Sequence, residues 1–300
     1  MWAKLRGALS IGLFTLNIAF WSALLVLCAL LKAATPVESW RRAWARWMMP
    51  LVDAWCWGNV QILRVLRVTR LEVEGLEGLS RRGWYLVISN HQSWSDIIVL
   101  QCMFLRRIPM LKFFMKRQLI WVPFLGLGCW AMEFPFMRRY PKEVLEKNPE
   151  LRREDLETTR QACERFRHTP TSILNFVEGT RFTQGKHSDQ ESPYTNLLRP
   201  KTGGLAFVIS AMGDQIKHMV NVTIFYPGGA PTFWEFCCGK RPRVQVRIHQ
   251  QDIPESFANG DYLDDHVFRD QFRAWAHEIW QDKDQEIARL SLESAHAEPN

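Results

Sequence analysis

"YLVISNHQSWSD", residues 85–96, decides how this chain folds. Its first five residues are aromatic, aliphatic or small, the composition of a buried strand. Asn90 and His91 break the run, and Asp96 opens "DIIVL", which has the look of a helix start. A histidine and an aspartate therefore bracket a strand-to-helix turn, where the chain can fold the carboxylate back onto the imidazole. Strand ends of this kind are where α/β folds place ligand sites. The plainer alternative makes Ser93 or Ser95 a helix cap and His91 an ordinary loop residue.

Spacing alone does not separate the two, because the chain has eight histidines and repeats the same separation at His277 and Asp282 in "AHEIWQD". That second pair lies in a helical pattern with Phe268, Phe272, Trp275 and Ile279. Five residues at about 100° each put its side chains roughly 140° apart on the helix, so they do not face each other.

Working outward, apolar runs alternate between strand length and helix length after residue 70, the pattern of an α/β domain. Strands are predicted at 71–75, 84–89, 129–134, 171–177, 219–226 and 243–249. Helices are predicted at about 95–105, 151–168, 203–213 and 266–290. The polar, turn-rich stretch 183–200 reads as a surface loop.

Residues 9–31 carry no charge over 23 positions. As a helix they rise roughly 35 Å, enough to cross a hydrocarbon core of about 30 Å. A cleaved signal peptide fits poorly, because a cut near Ala33 or Ala34 lacks the small residue needed upstream. A retained membrane anchor is expected instead. Residues 40–70 interleave Trp40, Trp44, Trp47, Trp55 and Trp57 with arginines, as an interfacial amphipathic limb does. A Trp-rich core helix is the competing possibility. Lys4 and Arg6 precede the apolar run while Lys32, Arg41, Arg42 and Arg46 follow it, which favours a cytoplasmic body and also suits a re-entrant hairpin.

A net charge of +7 admits nucleic acid or an anionic membrane as partner. No nucleic-acid-binding motif accompanies it, and the basic residues cluster beside the apolar segment, so a bilayer partner and no nucleic acid are expected. Seven scattered cysteines without a C-x-x-C pair argue against a disulfide framework, and no zinc-ligand spacing is present.

A second strand-end motif lies at "NFVEGTRF", residues 175–182. Glycine lets backbone approach a ligand closely, and arginine offers a planar fork for phosphate or carboxylate. Glu178 and Arg181 pairing at a helix start is the alternative. A G-x-S-x-G elbow, the mark of a serine hydrolase, is absent.

These residues resemble the lysophosphatidic acid acyltransferase family (1-acylglycerol-3-phosphate O-acyltransferases) of the wider glycerolipid acyltransferase superfamily, most of all a bacterial inner-membrane branch. Asn90, His91, Ser93 and Asp96 match its N-H-x-S-x-x-D block, and Phe176, Glu178, Gly179, Thr180 and Arg181 match F-x-x-E-G-T-R. Lys116, Leu119, Pro123, Gly126 and Arg138 fall at the places of the block between them. The fourth block matches only loosely, through Pro227 of "VTIFYP".

The resemblance implies a mixed sheet flanked by helices, with an N-terminal helical hairpin seated in one leaflet. Residues 1–69 are then a membrane anchor and amphipathic helical region, and 70–300 an acyltransferase domain ending in a helix. It further implies acyl transfer from acyl-CoA or acyl-carrier protein to a lysophospholipid acceptor, with lysophosphatidic acid foremost and another lysolipid or an ornithine lipid as alternatives. The site would be the cytoplasmic face of the bacterial inner membrane, with no cofactor beyond the acyl donor and no metal.

Such a transfer needs a base for the hydroxyl proton, donors for the oxyanion and a grip on phosphate. His91, able to exchange a proton near neutral pH, suits the base, and Asp96 the group that orients it. Asn90 and Ser93 support the motif. Arg181, and by resemblance Lys116 and Arg138, would bind phosphate, with Glu178, Gly179 and Thr180 shaping the pocket. Lys116 stays open between that role and the oxyanion. Trp121–Trp130 lines an acyl groove, meets the membrane or is ordinary core, and Lys201 with Gly203 reads as a plain helix start.

Overall fold

The computed structural model describes residues 1–137, 148, 150–164, 166–167, 169–258 and 260–297. The helices are α1 (Trp2–Ala34), α2 (Glu38–Val65), α3 (Ser95–Phe104), α4 (Leu125–Ala131), α5 (Glu150–Glu164), α6 (Gln184–Asp189), α7 (Thr202–Met212), α8 (Phe233–Cys237) and α9 (His266–Ala297). The strands are β1 (Arg70–Glu74), β2 (Tyr85–Ser89), β3 (Leu111–Phe113), β4 (Met115–Lys116), β5 (Phe136–Met137), β6 (Ser172–Phe176), β7 (His218–Phe225) and β8 (Arg243–Asp252). Six strands form one sheet in the order β1-β8-β7-β2-β6-β3, and β4 pairs β5 in a separate ribbon. Among the described residues the sheet's pairings are parallel except that of β7 with β8. The mixed sheet flanked by helices is therefore the architecture found.

Every residue of β2 is buried. Tyr85 and Val87 join one core with Leu100, Val222 and Ile224, whereas Leu86 and Ile88 join another with Ile173, Leu205, Ile209, Phe272 and Trp280. That alternation is the period-two geometry of a strand covered on both faces. It explains why the run is continuously apolar rather than alternating with polar residues.

Helix α1 is long and apolar enough to cross a membrane, yet it is fastened to the body along one stripe. Gly7, Ser10, Phe14, Ser22 and Leu25 are its buried residues. Arg6 Nε donates to Cys238 O at 2.9 Å, Ser10 Oγ to Cys237 O at 3.2 Å, and Asn17 Nδ2 to Trp55 O and Asn59 Oδ1, both at 2.9 Å. Its remaining faces expose Leu9, Leu13, Leu16, Phe20, Leu27 and Leu30. In α2 the tryptophans divide: Trp40, Trp47 and Trp57 are exposed, but Trp55 is buried against Leu25, Met48, Val52, Cys129 and Met132. Trp55 thus packs as a core residue, whereas Trp40, Trp47 and Trp57 face outward. The side chains of Arg41, Arg42 and Arg46 lie outside those described.

Two expectations need correction. "CWAMEF" (129–134) is not a strand: Cys129–Ala131 closes α4, whose Gly128 sits against Ser22 of α1. A short apolar run carries no period that separates a buried helical turn from a strand. The stretch 183–200 is not simply a surface loop, since Thr183 caps α6 by accepting from Lys186 N–H, and Tyr194, Leu197 and Leu198 are buried. The edge strand β3 and the ribbon of β4 with β5 are too short for pattern alone to find. All seven cysteines are free.

Candidate active site

β2 and β6 are parallel neighbours with Ser89 opposite Phe176, so the turns that follow them leave the same end of the sheet side by side. Asn90, fully buried, donates through Nδ2 to Ile224 O at 2.9 Å and accepts Ile224 N–H on Oδ1 at 2.8 Å. Its carboxamide thereby imitates one more backbone unit of the ladder and fixes where the chain leaves the sheet. The turns are stitched to each other in both directions: His91 N–H donates to Glu178 Oε1 at 3.3 Å, and Phe182 N–H to His91 O at 2.7 Å.

The imidazole of His91 stacks on Phe176, ring centroids 4.0 Å apart and planes 18° from parallel. Its Nδ1 lies 2.9 Å from Asp96 Oδ2. Asp96 is fully buried in the first turn of α3, where the helix dipole favours a carboxylate. Oδ2 also accepts from Gln92 N–H at 2.7 Å and Ser93 N–H at 2.9 Å, and Oδ1 from the Tyr226 hydroxyl at 2.6 Å. A buried acceptor with four donors is held rigidly. Because two of them are the backbone N–H groups of its own turn, Asp96 can point only at the ring. With Nδ1–H donating to Asp96, Nε2 carries the lone pair.

Burial, together with the Asp96 charge, pushes the Tyr226 phenol well above its ordinary range, so it remains a donor. Ser93 Oγ, itself buried, donates to Pro231 O at 2.6 Å and accepts from Ser95 Oγ at 2.8 Å. This network ties the turn to the segment after β7.

On the β6 side, Glu178 is fully buried, and its Oε2 closes no hydrogen bond among the described residues. Burial lifts its carboxyl from 4.5 to about 8, opposed by the backbone N–H groups of His91 and Leu198 and by the charge of Lys283. Gly179 has φ +69°, and a Cβ there would sit 3.0 Å from Lys201 Cδ, so only glycine fits without strain. Thr180 Oγ1 and Arg181 O both accept from Lys186 Nζ, at 2.8 and 2.9 Å. Arg181 is exposed, its Cζ 4.8 Å over the Trp94 ring, a cation–π contact that holds the guanidinium beside the His91 turn.

His91, Asp96, Glu178, Gly179, Thr180 and Arg181 are thus brought to one end of the sheet. Lys116 is exposed on β4 in the separate ribbon, and Arg138 lies outside the described residues. Tyr226, Trp94 and Lys186 also take part, although the sequence singles out none of them for the site. Tyr226 had one signal, its place just before Pro227 at a strand end. The control pair behaves as the helix geometry requires: His277 Nδ1 pairs with the Tyr194 hydroxyl at 2.6 Å, and Asp282 is exposed.

A family model described as Acyltransferase matches residues 70–226. The 1-acyl-sn-glycerol-3-phosphate acyltransferase delta of Mus musculus is 27% identical over 187 residues, which cover 58% of this chain and 43% of that protein. The 1-acyl-sn-glycerol-3-phosphate acyltransferase 2 of Brassica oleracea is 27% identical over 216 residues, covering 62% and 52%. The chain therefore spans about half the length of these relatives. The crystal structure of the 1-acyl-sn-glycerophosphate (LPA) acyltransferase from Thermotoga maritima shares the fold, with a TM-score of 0.58 at 15% identity over 95% of this chain and 98% of that one.

Proposed function

The chain belongs to the acyltransferase family, and from that premise we propose that it acylates the free hydroxyl of a lysophospholipid, foremost the sn-2 hydroxyl of lysophosphatidic acid, giving phosphatidic acid. The observation that carries this is the 2.9 Å contact between His91 Nδ1 and Asp96 beside an exposed Arg181. That the relatives are 1-acyl-sn-glycerol-3-phosphate acyltransferases supports this acceptor class.

His91 Nε2 removes the acceptor's hydroxyl proton as the oxygen attacks the thioester carbonyl, and Asp96 stabilises the resulting imidazolium. The tetrahedral oxyanion collapses, the carbon–sulfur bond breaks, and the thiolate of the donor recovers the proton. No side-chain nucleophile is needed, because the acyl group arrives activated. Ser93 is engaged with Pro231 O, in keeping with a structural part. Arg181 grips the acceptor phosphate, with Lys116 and Arg138 as further cations and Glu178, Gly179 and Thr180 holding the turn in shape.

A lipid acceptor brings the protein to a bilayer. The outward leucines of α1 and the exposed Trp121, Phe124, Leu127 and Trp130 around α4 offer one apolar side. Because the N-terminal half of α1 is hydrogen-bonded to α8 and α2 through Arg6, Ser10 and Asn17, the hairpin is better suited to lie in one leaflet than to cross alone. The membrane is the bacterial inner membrane, with the site on its cytoplasmic face.

Assay of the purified chain with a panel of lysolipids and with both acyl-CoA and acyl-carrier-protein donors tests this. Turnover is expected to be greatest with lysophosphatidic acid. Turnover confined to another lysolipid or an ornithine-lipid precursor would reassign the acceptor, and none with any acceptor would overturn the assignment.

A further inference from the structure

The turn that carries His91 and Asp96 also carries an exposed indole. Trp94 stands at the entry to α3 between Ser93 and Ser95, both buried, and is itself 48% exposed. The two serines fix its backbone. Ser93 Oγ donates to Pro231 O at 2.6 Å, while Ser95 Oγ donates to Ser93 Oγ at 2.8 Å and lies 3.1 Å from the Tyr226 hydroxyl. An indole left half in water adds little to the core. What it does meet is Arg181, whose Cζ lies 4.8 Å from the ring centroid.

Arg181 is held at its other end as well. Its carbonyl oxygen accepts from Lys186 Nζ at 2.9 Å, and the same ammonium donates to Thr180 Oγ1 at 2.8 Å. Lys186 belongs to α6, which Thr183 caps. The backbone of Arg181 is thus located by a lysine that follows it in sequence, and its guanidinium by a ring from the facing turn. A pairing of Glu178 with Arg181 at a helix start does not form: Glu178 is fully buried with Oε1 on His91 N–H, whereas Arg181 is exposed. Among the described residues no carboxylate forms an ion pair with Arg181.

That choice of partner has a chemical consequence. A carboxylate would occupy the N–H fork and cancel its charge, whereas an indole attracts the cation through its face and accepts none of the in-plane N–H groups. Charge and fork both remain for a phosphate. A free arginine also loses rotamer freedom when it grips a ligand, and a stacked one has lost part of it beforehand.

We propose that Trp94 is a specificity-determining positioning residue, which holds the Arg181 guanidinium ready for the phosphate of the acceptor lipid. This rests on the phosphate role proposed above for Arg181 and extends it to a residue of the His91 turn. The chain that carries the imidazole then also sets the headgroup's place relative to Nε2.

The test is steady-state kinetics with lysophosphatidic acid and acyl-CoA for Trp94→Ala, Trp94→Leu, Trp94→Phe, Arg181→Ala and the Trp94→Ala, Arg181→Ala double variant, with sn-glycerol 3-phosphate as a competitor that offers the headgroup alone. Trp94→Ala should raise the acceptor's KM roughly fivefold, with kcat changed less than about twofold. The inhibition constant of glycerol 3-phosphate should rise by a similar factor. Trp94→Leu keeps bulk without an aromatic face and should behave as Trp94→Ala, whereas Trp94→Phe restores a face and should recover most of the loss. With Arg181 truncated the ring has nothing to hold, so the double variant should match Arg181→Ala within about twofold.

Recovery by leucine equal to that by phenylalanine, or losses that multiply in the double variant, would overturn the proposal. So would a Trp94→Ala loss that comes with weaker binding to anionic phospholipid vesicles and an unmoved glycerol 3-phosphate constant, because the indole would then be a membrane contact. If Arg181→Ala raises KM and Trp94→Ala does not, the proposal falls and the phosphate role of Arg181 stands. If neither raises it, both fall.

Discussion

His91 with Asp96 and His277 with Asp282 have identical separation in the chain and opposite fates in the fold. At the first pair the backbone turns sharply between strand and helix, and the side chains meet at 2.9 Å with the aspartate buried under four donors. At the second pair both residues ride one helix, the histidine bonds Tyr194, and the aspartate points to solvent. The lesson is that a spacing has chemical meaning only through the backbone that carries it. A five-residue step along α9 rotates side chains apart, whereas the same step around the end of β2 folds them together.

The contrast can be broken most severely at His91. His91→Ala should reduce kcat by about 10²–10⁴-fold, the usual share of a general base, in a protein that still folds and binds vesicles; full residual turnover would end the base assignment. Asp96→Asn keeps the shape but offers Nδ1 a poorer partner, and a loss on the order of 10³ in kcat is expected, with the acceptor's KM little changed. Tyr226→Phe removes one donor from a buried carboxylate. Such a bond is worth about 1.5–3 kcal/mol, so a loss of roughly tenfold or more is expected, and undiminished activity would show that Oδ1 plays no part. Arg181→Ala should chiefly raise the KM for lysophosphatidic acid, by about tenfold, with less effect on an uncharged acceptor. An unchanged KM would take the phosphate role away from it.

His277→Ala sharpens the comparison from the other side. It should change kcat less than about twofold and cost about 1 kcal/mol of stability through the lost Tyr194 bond. A loss as large as that of His91→Ala would mean that the control pair is no control.

The pH dependence of stability has a definite sign. Glu178 holds its proton up to about 8 in the folded chain, against an ordinary 4.5. Between those values the folded state binds the extra proton, so this group's contribution falls as pH rises. Lys283, lowered from 10.5 to about 7, acts oppositely above 7. Glu178→Gln should therefore flatten the decline in melting temperature between pH 5 and 7, and an unaltered slope would place the buried proton elsewhere.

Much of the site was legible because its chemistry is local. β2, β6, β7 and β8 stood out from their composition, and Asn90, His91 and Asp96 fall within one turn. Glu178 to Arg181 fall within another, where Gly179 answers a backbone need that one residue meets alone. The ribbon of β4 with β5 was not legible, since two-residue strands have no period. "CWAMEF" was misleading because a fully apolar stretch fits a buried helix and a strand equally well. Trp55 and Trp57, two positions apart in α2, differ in burial because the interior lies on one side of the helix, a distinction that composition does not carry.

The sequence by itself determined the residue types at two strand ends, their order and the apolar character of the first helix, because hydrogen-bonding chemistry and backbone period act over a few residues. The tertiary structure decided which groups would meet. Tyr226 reaches Asp96 across 130 positions, and Lys283 of the last helix donates to Val222 O on β7. These meetings depend on which parallel strands become neighbours and in what register, a choice made by burying both faces of the sheet at once rather than by any short stretch of chain.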